Sequence, residues 1–182
     1  IRRQQTTDGS WGYAGHETGI TALCTLALIE NGAAIYDPIV DKGYRYVRKN
    51  AAARTEVYDI ALSILLLSRV GDRQDKPIIR TLGAKLLAGQ TQSGGWGYTC
   101  PDVESSILQD LKRVDRKPGV GDNSNTQFGV LGLWVASRHG VPIEEAMKLV
   151  GTRFVQTQGD DGGWSYTFKE SNGVIEKNPS SH

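Results

Sequence analysis

The chain has 182 residues, enough for one domain with a sizeable core. Its 21 Lys and Arg nearly balance 20 Asp and Glu, leaving a formal net charge of +1. No run of five basic residues occurs, so electrostatics make no case for nucleic acid or an anionic membrane. Apolar stretches such as Ile64-Leu65-Leu66-Leu67 are far too short to span a bilayer.

Read from the N-terminus, the chain opens on Gln5-x-x-x-Gly9-x-Trp11-x-Tyr13. The same spacing returns as Gln90, Gly94, Trp96 and Tyr98, and again as Gln158, Gly162, Trp164 and Tyr166. Four fixed positions recurring three times mark an internal repeat, and a repeat dictates the architecture. Leu86 and Phe154 close apolar helical patterns four residues before the second and third Gln. Ile1 holds that place before the first, so the chain reads as a segment of a longer repeat protein that opens inside an element.

The first hairpin follows. Thr21–Gly32 is apolar nearly all round, the pattern of a helix buried on most sides, and ends in a glycine suited to a left-handed cap. Pro38-Ile39 then starts a second helix, where the missing proline N–H costs nothing. Val40, Tyr44 and Val47 share one face of it, while Asp41, Lys42, Arg45 and Arg48 lie elsewhere, so this outer helix keeps a solvated side. The junction from Asn50 to Thr55 lacks the repeated motif. Ile60–Gly71 and the helix from Pro77-Ile78 repeat the inner and outer patterns. An insertion from Thr99 to Asp122 holds Pro101, Pro118 and one short helix expected over Ser105–Arg113. Gly129–Gly140 and the helix from Pro142-Ile143 form the third hairpin. The tail after Phe168 is polar, holds Pro179 and is expected to fray.

Cys24, Ser63 and Gly132 fall at one aligned position of the inner helices, where small residues let neighbours approach. Cys24 lies in an apolar run and is expected to be a buried free thiol. Cys100, in a loop before Pro101, is open to either state, and two cysteines make no disulfide framework.

In the repeated turn, the Gln falls where an outer helix ends with carbonyls lacking partners, and its amide can donate to one of them. The glycines allow a tight turn with positive φ. The Trp ring can stack over the Gln amide and cover the helix end. These residues read as a structural clamp.

The Gln-x-x-x-Gly-x-Trp turns resemble the QW motifs of the terpenoid cyclase superfamily, of the squalene–hopene cyclase type, whose helical-hairpin architecture is shared with protein prenyltransferase β subunits. The resemblance covers almost the whole chain. It implies an α/α toroid, of which about six main helices here make roughly half. It does not carry the family's chemistry across. The Asp-x-Asp-Asp acid motif is missing; the pair Asp160-Asp161 has Gln158 where the first Asp belongs and lies in a Gly-rich turn. The Asp-x-Cys part of a prenyltransferase zinc site is missing too, since Ala22 precedes Cys24 and Tyr98 precedes Cys100. The Cys-Gly-Glu-Gln thioester of complement-type toroids does not occur.

Toroids place the starts of their inner helices around one mouth. The polar residues there, candidates for ligand contact, are His16 and Glu17 in the first hairpin, Asp59 in the second, and Asp122, Asn123, Asn125 and Gln127 in the third. One residue of the last group must cap the helix. Asp59 is expected either to face the mouth or to bond a neighbouring hairpin, with the bond favoured. Arg138 and His139 end the third inner helix, where a cation suits the dipole.

The sequence therefore predicts an all-α fold, a single repeat domain over 1–182 with an insertion at 99–122 and a tail at 168–182. The expected role is a non-catalytic module that binds an apolar, polyprenoid or oligosaccharide ligand or a partner protein, without metal or cofactor. The alternative is part of a cyclase, prenyltransferase or polysaccharide lyase whose catalytic residues lie outside this segment. The end hairpins are expected to expose apolar flanks, to be covered by more of the same chain or by a homodimer partner.

Overall fold

Helices apolar on nearly every side have no face to give to water, and the three that carry this pattern become the central row of an all-α fold. A computed structural model describes residues 1–12, 15–103, 111, 115–171 and 174–176. The central helices are α1 (Glu17–Glu30), α3 (Val57–Val70) and α5 (Asn123–Ser137); α2 (Pro38–Asn50), α4 (Lys76–Gly89) and α6 (Glu144–Thr157) each follow one of them. Gly32, Gly71 and Gly140 close the central helices with φ of 87°, 79° and 86°, the left-handed conformation expected of them.

The row places α3 between α1 and α5, with α2 packed on α1 and α4 on α3 and α5. Ile60, Ile64, Leu66 and Leu67 of α3 meet Ile79, Leu82 and Leu86 of α4 and Leu133 of α5 in one core. Gly132 makes the contact possible: a Cβ there would lie 2.7 Å from Leu86 Cδ1 and 3.1 Å from Ala61 Cβ. Ser63 is fully buried at the aligned position, but Cys24 is only half-buried, contrary to expectation, because α1 stands at the end of the row. Cys100 is the buried free thiol, and burial pushes its pKa up to about 12.

The outer helices start as their prolines dictate in two cases. Pro38 opens α2 behind Asp37, whose carboxylate accepts from Ile39 N at 2.9 Å, and Pro77 sits in the first turn of α4. Pro142 instead precedes α6, which begins at Glu144 with two acidic residues suited to the positive helix end. Within the tail, Lys169–Ser171 pairs antiparallel with Val174–Glu176, so this part is hydrogen-bonded rather than frayed. The helix expected over Ser105–Arg113 lies outside the described residues, Leu111 excepted.

The three repeated turns are built alike. Gly9, Gly94 and Gly162 take φ of 94°, 84° and 83°. The amides of Gln5, Gln90 and Gln158 donate to those glycines' carbonyls at 2.9, 3.2 and 2.8 Å. The indole N–H of Trp11, Trp96 and Trp164 donates to Ile1 O, Leu86 O and Phe154 O at 2.8, 2.7 and 2.8 Å. In the second and third turns the indole, not the Gln amide, thus satisfies a last-turn carbonyl of the preceding outer helix. The Gln amide reaches the other way, to the next outer helix: Gln5 donates to Ile39 O and Gln90 to Ala146 O, each at 2.9 Å.

Tight seating follows. A Cβ on Gly94 would lie 2.4 Å from Leu149 O of α6, while one on Gly162 would meet nothing within 4 Å. Gly162→Ala should therefore cost only the left-handed penalty of about 1–2 kcal/mol. Gly94→Ala must also displace backbone, and is expected to cost at least about 3 kcal/mol. Urea melts of the two variants check this, and equal losses would contradict it.

The motif-less junction is held by charge. Lys85, buried in α4, donates from Nζ to Ala52 O at 2.7 Å, Arg54 O at 2.9 Å and Asp102 Oδ1 at 2.7 Å. Asp75, fully buried before α4, accepts from Tyr44 Oη at 2.7 Å and Arg48 Nε at 2.5 Å of α2. These contacts join successive outer helices where the Gln–Trp turn is absent.

Candidate functional site

Because every hairpin returns the chain to the same end, the starts of α1, α3 and α5 gather there. Tyr58 Oη of α3 lies 2.5 Å from Ser124 Oγ of α5. Arg54, before α3, donates to Gly15 O at 3.1 Å, before α1. One hollow opens between these starts and a second lies beside them. The first, of about 330 Å³, is lined by His16, Gly19, Ile20, Tyr58, Leu62 and Tyr98 around Asp59. The second, of about 600 Å³, lies between α5, α6 and the third turn, with Asn123, Gln127, Val130, Phe154, Trp164 and Tyr166 among its walls.

Asp59 is the chemical centre of the first hollow. It is 1% exposed, in the first turn of an apolar helix. Its Oδ2 lies 3.5 Å from Arg54 Nε and 4.0 Å from His16 Nδ1, and accepts no hydrogen bond. Burial pushes its carboxyl above the usual range, against the pull of Arg54, His16 and the Gly19 backbone. Gly19 permits the approach: a Cβ there would sit 2.0 Å from Asp59 Oδ1. Asp59 packs against Gly19 of the neighbouring hairpin and lines the mouth.

The other candidates divide. His16 is half-exposed at the start of α1 beside Asp59, but Glu17 turns back to accept from Gly15 N at 3.2 Å and does not line the hollow. Asp122 is the cap of α5, accepting from Asn125 N at 2.8 Å. Asn125 is fully buried and bonds Asp122 Oδ2 at 2.8 Å, so it is packing rather than a ligand contact. Asn123 donates to Ser165 O at 2.7 Å and accepts from Arg153 Nη2 at 3.0 Å, joining α5 to the third turn and α6. Gln127 is exposed on the second hollow. His139 meets Ser68 Oγ at 3.0 Å, and burial, with Lys76 and Arg138, holds its imidazole below the ordinary range. Arg138 lies 4.5 Å over the Trp134 ring.

Two of the motif tyrosines belong to the mouth, not to the clamp. Tyr98 and Tyr166 each line one hollow, and their hydroxyls lie 2.9 Å apart. The third, Tyr13, lies outside the described residues. Arg54 was also not anticipated, since it sits in a junction without a motif. Arg153 likewise carried no signal. It is buried, donates to Val120 O at 2.5 Å, lies 4.6 Å over the Phe168 ring, and burial draws its pKa down to about 10.

Among the described residues no three His, Cys, Asp or Glu side chains are placed to share a metal ion, and no helix is long and apolar enough to cross a membrane. No protein-family model matches the chain, and no solved structure matches it.

Proposed function

We propose that this chain is a binding module built of α/α hairpins of the terpenoid cyclase and prenyltransferase type, part of a toroid, whose mouth takes an apolar ligand bearing one polar group. The observation that carries the reading is the hollow of about 330 Å³ in which Ile20, Leu62, Tyr58 and Tyr98 surround the buried Asp59 carboxyl. Apolar walls with a single convergent polar group are the usual makeup of a small-molecule site. The Gln–Trp turns and the alternation of central and outer helices support the repeat type.

The ligand is a polyprenoid alcohol: an isoprenoid body suits Ile20 and Leu62, and a hydroxyl can bond Asp59 beside His16. Thermal shift with farnesol tests this. Ligand at a hundredfold excess over Kd stabilises by about 2.7 kcal/mol, which raises Tm by roughly 5–10 °C in a chain of this size. Ile20→Asp should abolish the shift while Gln127→Ala retains it. A wild-type melt unmoved by farnesol, squalene or long-chain lipids defeats the proposal. Squalene and farnesyl diphosphate should be recovered unchanged after incubation, because neither the Asp-x-Asp-Asp acid motif nor the Asp-x-Cys zinc ligands are present.

A further inference from the structure

A carboxylate buried against apolar walls must be matched by charge, by hydrogen bonds or by whatever enters the space beside it. Asp59 is short of the first two. Among the described residues its Oδ2 accepts no hydrogen bond, although the residue is 1% exposed. The charged and titratable groups that face it are Arg54, Glu56 and His16. Arg54 Nε lies 3.5 Å from Asp59 Oδ2 and also 3.5 Å from Glu56 Oε2, so two carboxylates share one guanidinium. Its Nη2 is engaged elsewhere, donating to Gly15 O. His16 Nδ1 stands 4.0 Å off on a side chain 53% exposed, where solvent screens it. Against Glu56 and Asp59 together, Arg54 leaves one negative charge over.

The rest of the wall suits a cation better than an anion. Tyr58 and Tyr98 line the hollow with Ile20 and Leu62. The Tyr58 hydroxyl is engaged by Ser124 Oγ, and its ring lies 4.4 Å from that of Phe128. The Tyr98 hydroxyl is engaged by that of Tyr166 at 2.9 Å. What both residues give the hollow is therefore ring surface, which attracts an ammonium placed over it and repels an anion. Arg54 is not among the lining residues, so its charge is not presented to an anionic head. The net charge of the whole chain is +1 and gives cations no general attraction, so any preference for them is local.

We propose that this hollow, read as a ligand site, takes a primary ammonium on an apolar chain more tightly than the alcohol of the same chain, and refuses the corresponding carboxylate. The ammonium lies beside Asp59, with the Tyr58 and Tyr98 rings near its head and Ile20 and Leu62 against its chain. It brings the charge that Arg54 leaves unmatched, and three N–H donors where a hydroxyl has one. One buried acid thus sets which head group the site accepts.

Isothermal titration of the full chain at pH 7 with farnesylamine, farnesol and farnesoic acid, each below its aggregation limit, tests this. Farnesylamine should bind about tenfold or more tightly than farnesol, and farnesoic acid about tenfold or more weakly. Asp59→Asn keeps the shape and an oxygen that can accept from the alcohol, and should bring farnesylamine to within about threefold of farnesol. Tyr98→Leu removes a ring on a residue 66% exposed and should weaken farnesylamine about threefold while leaving farnesol unchanged. Melts of both variants without ligand establish that they fold. Should Asp59→Asn not fold, Tyr98→Leu decides, and an unchanged ratio of amine to alcohol affinity overturns the proposal. Farnesol bound as tightly as farnesylamine overturns it too, and leaves the alcohol site standing. Farnesoic acid bound tightest gives the site to Arg54 and overturns it as well. An amine advantage that survives Asp59→Asn means the amine sits elsewhere, with the same result. If none of the three binds, the head-group preference and the ligand site fall together.

Discussion

Truncating Trp96 to alanine is expected to cost about 3–5 kcal/mol, the range for deleting a buried aromatic ring. The ring is 0% exposed, and a Cβ on Gly129 of α5 would lie 2.5 Å from its Cδ2, so α5 packs directly on it. Its N–H also satisfies Leu86 O at the end of α4, which would be left without that donor. Trp164→Ala removes the same side chain from the same kind of turn, but one 42% exposed, and should cost less than about half as much. Denaturant melts of both variants give the comparison. Equal losses would mean that burial by the following hairpin is not what makes the clamp strong.

Replacing Lys85 with methionine should cost roughly 2–4 kcal/mol, although the stem keeps nearly its full volume. The change deletes only the ammonium, which is the donor to Ala52 O and Arg54 O at the end of the motif-less junction. Each carbonyl left without a partner in a part-buried site costs about 1–3 kcal/mol. Asp102, the third partner, has a side chain 83% exposed and adds little. A Lys85→Met protein that melts with the wild type would show that Asp75 with Arg48 and Tyr44 suffices to hold α2 to α4.

The mouth was legible in part. Asp59 stood out because an acid within an apolar helix needs a reason, and the structure supplies two of them, Gly19 and the hollow. Asp122 was legible as a cap because capping is decided within one helical turn. Asn125 and Glu17 carried the same local signal as their neighbours, but one is buried against Asp122 and the other bonds its own turn. Tyr98 and Tyr166 share the spacing of the clamp. Their side chains leave the turn and line the hollows, which no spacing along the chain encodes.

The sequence by itself determined the six helices in three hairpins, their closing glycines and the three repeated turns. Each of these rests on forces that act within a few residues: helical periodicity, backbone strain at positive φ, and the unsatisfied groups at a helix end. Only the tertiary structure decided where the Gln amides reach, that Lys85 and Asp75 replace the missing motif, and that two Trp side chains are buried while the third is 42% exposed. Those outcomes depend on which carbonyls and side chains arrive from segments tens of residues away. A polar side chain takes whichever buried partner packing brings within reach, and its own neighbours in sequence do not specify that partner.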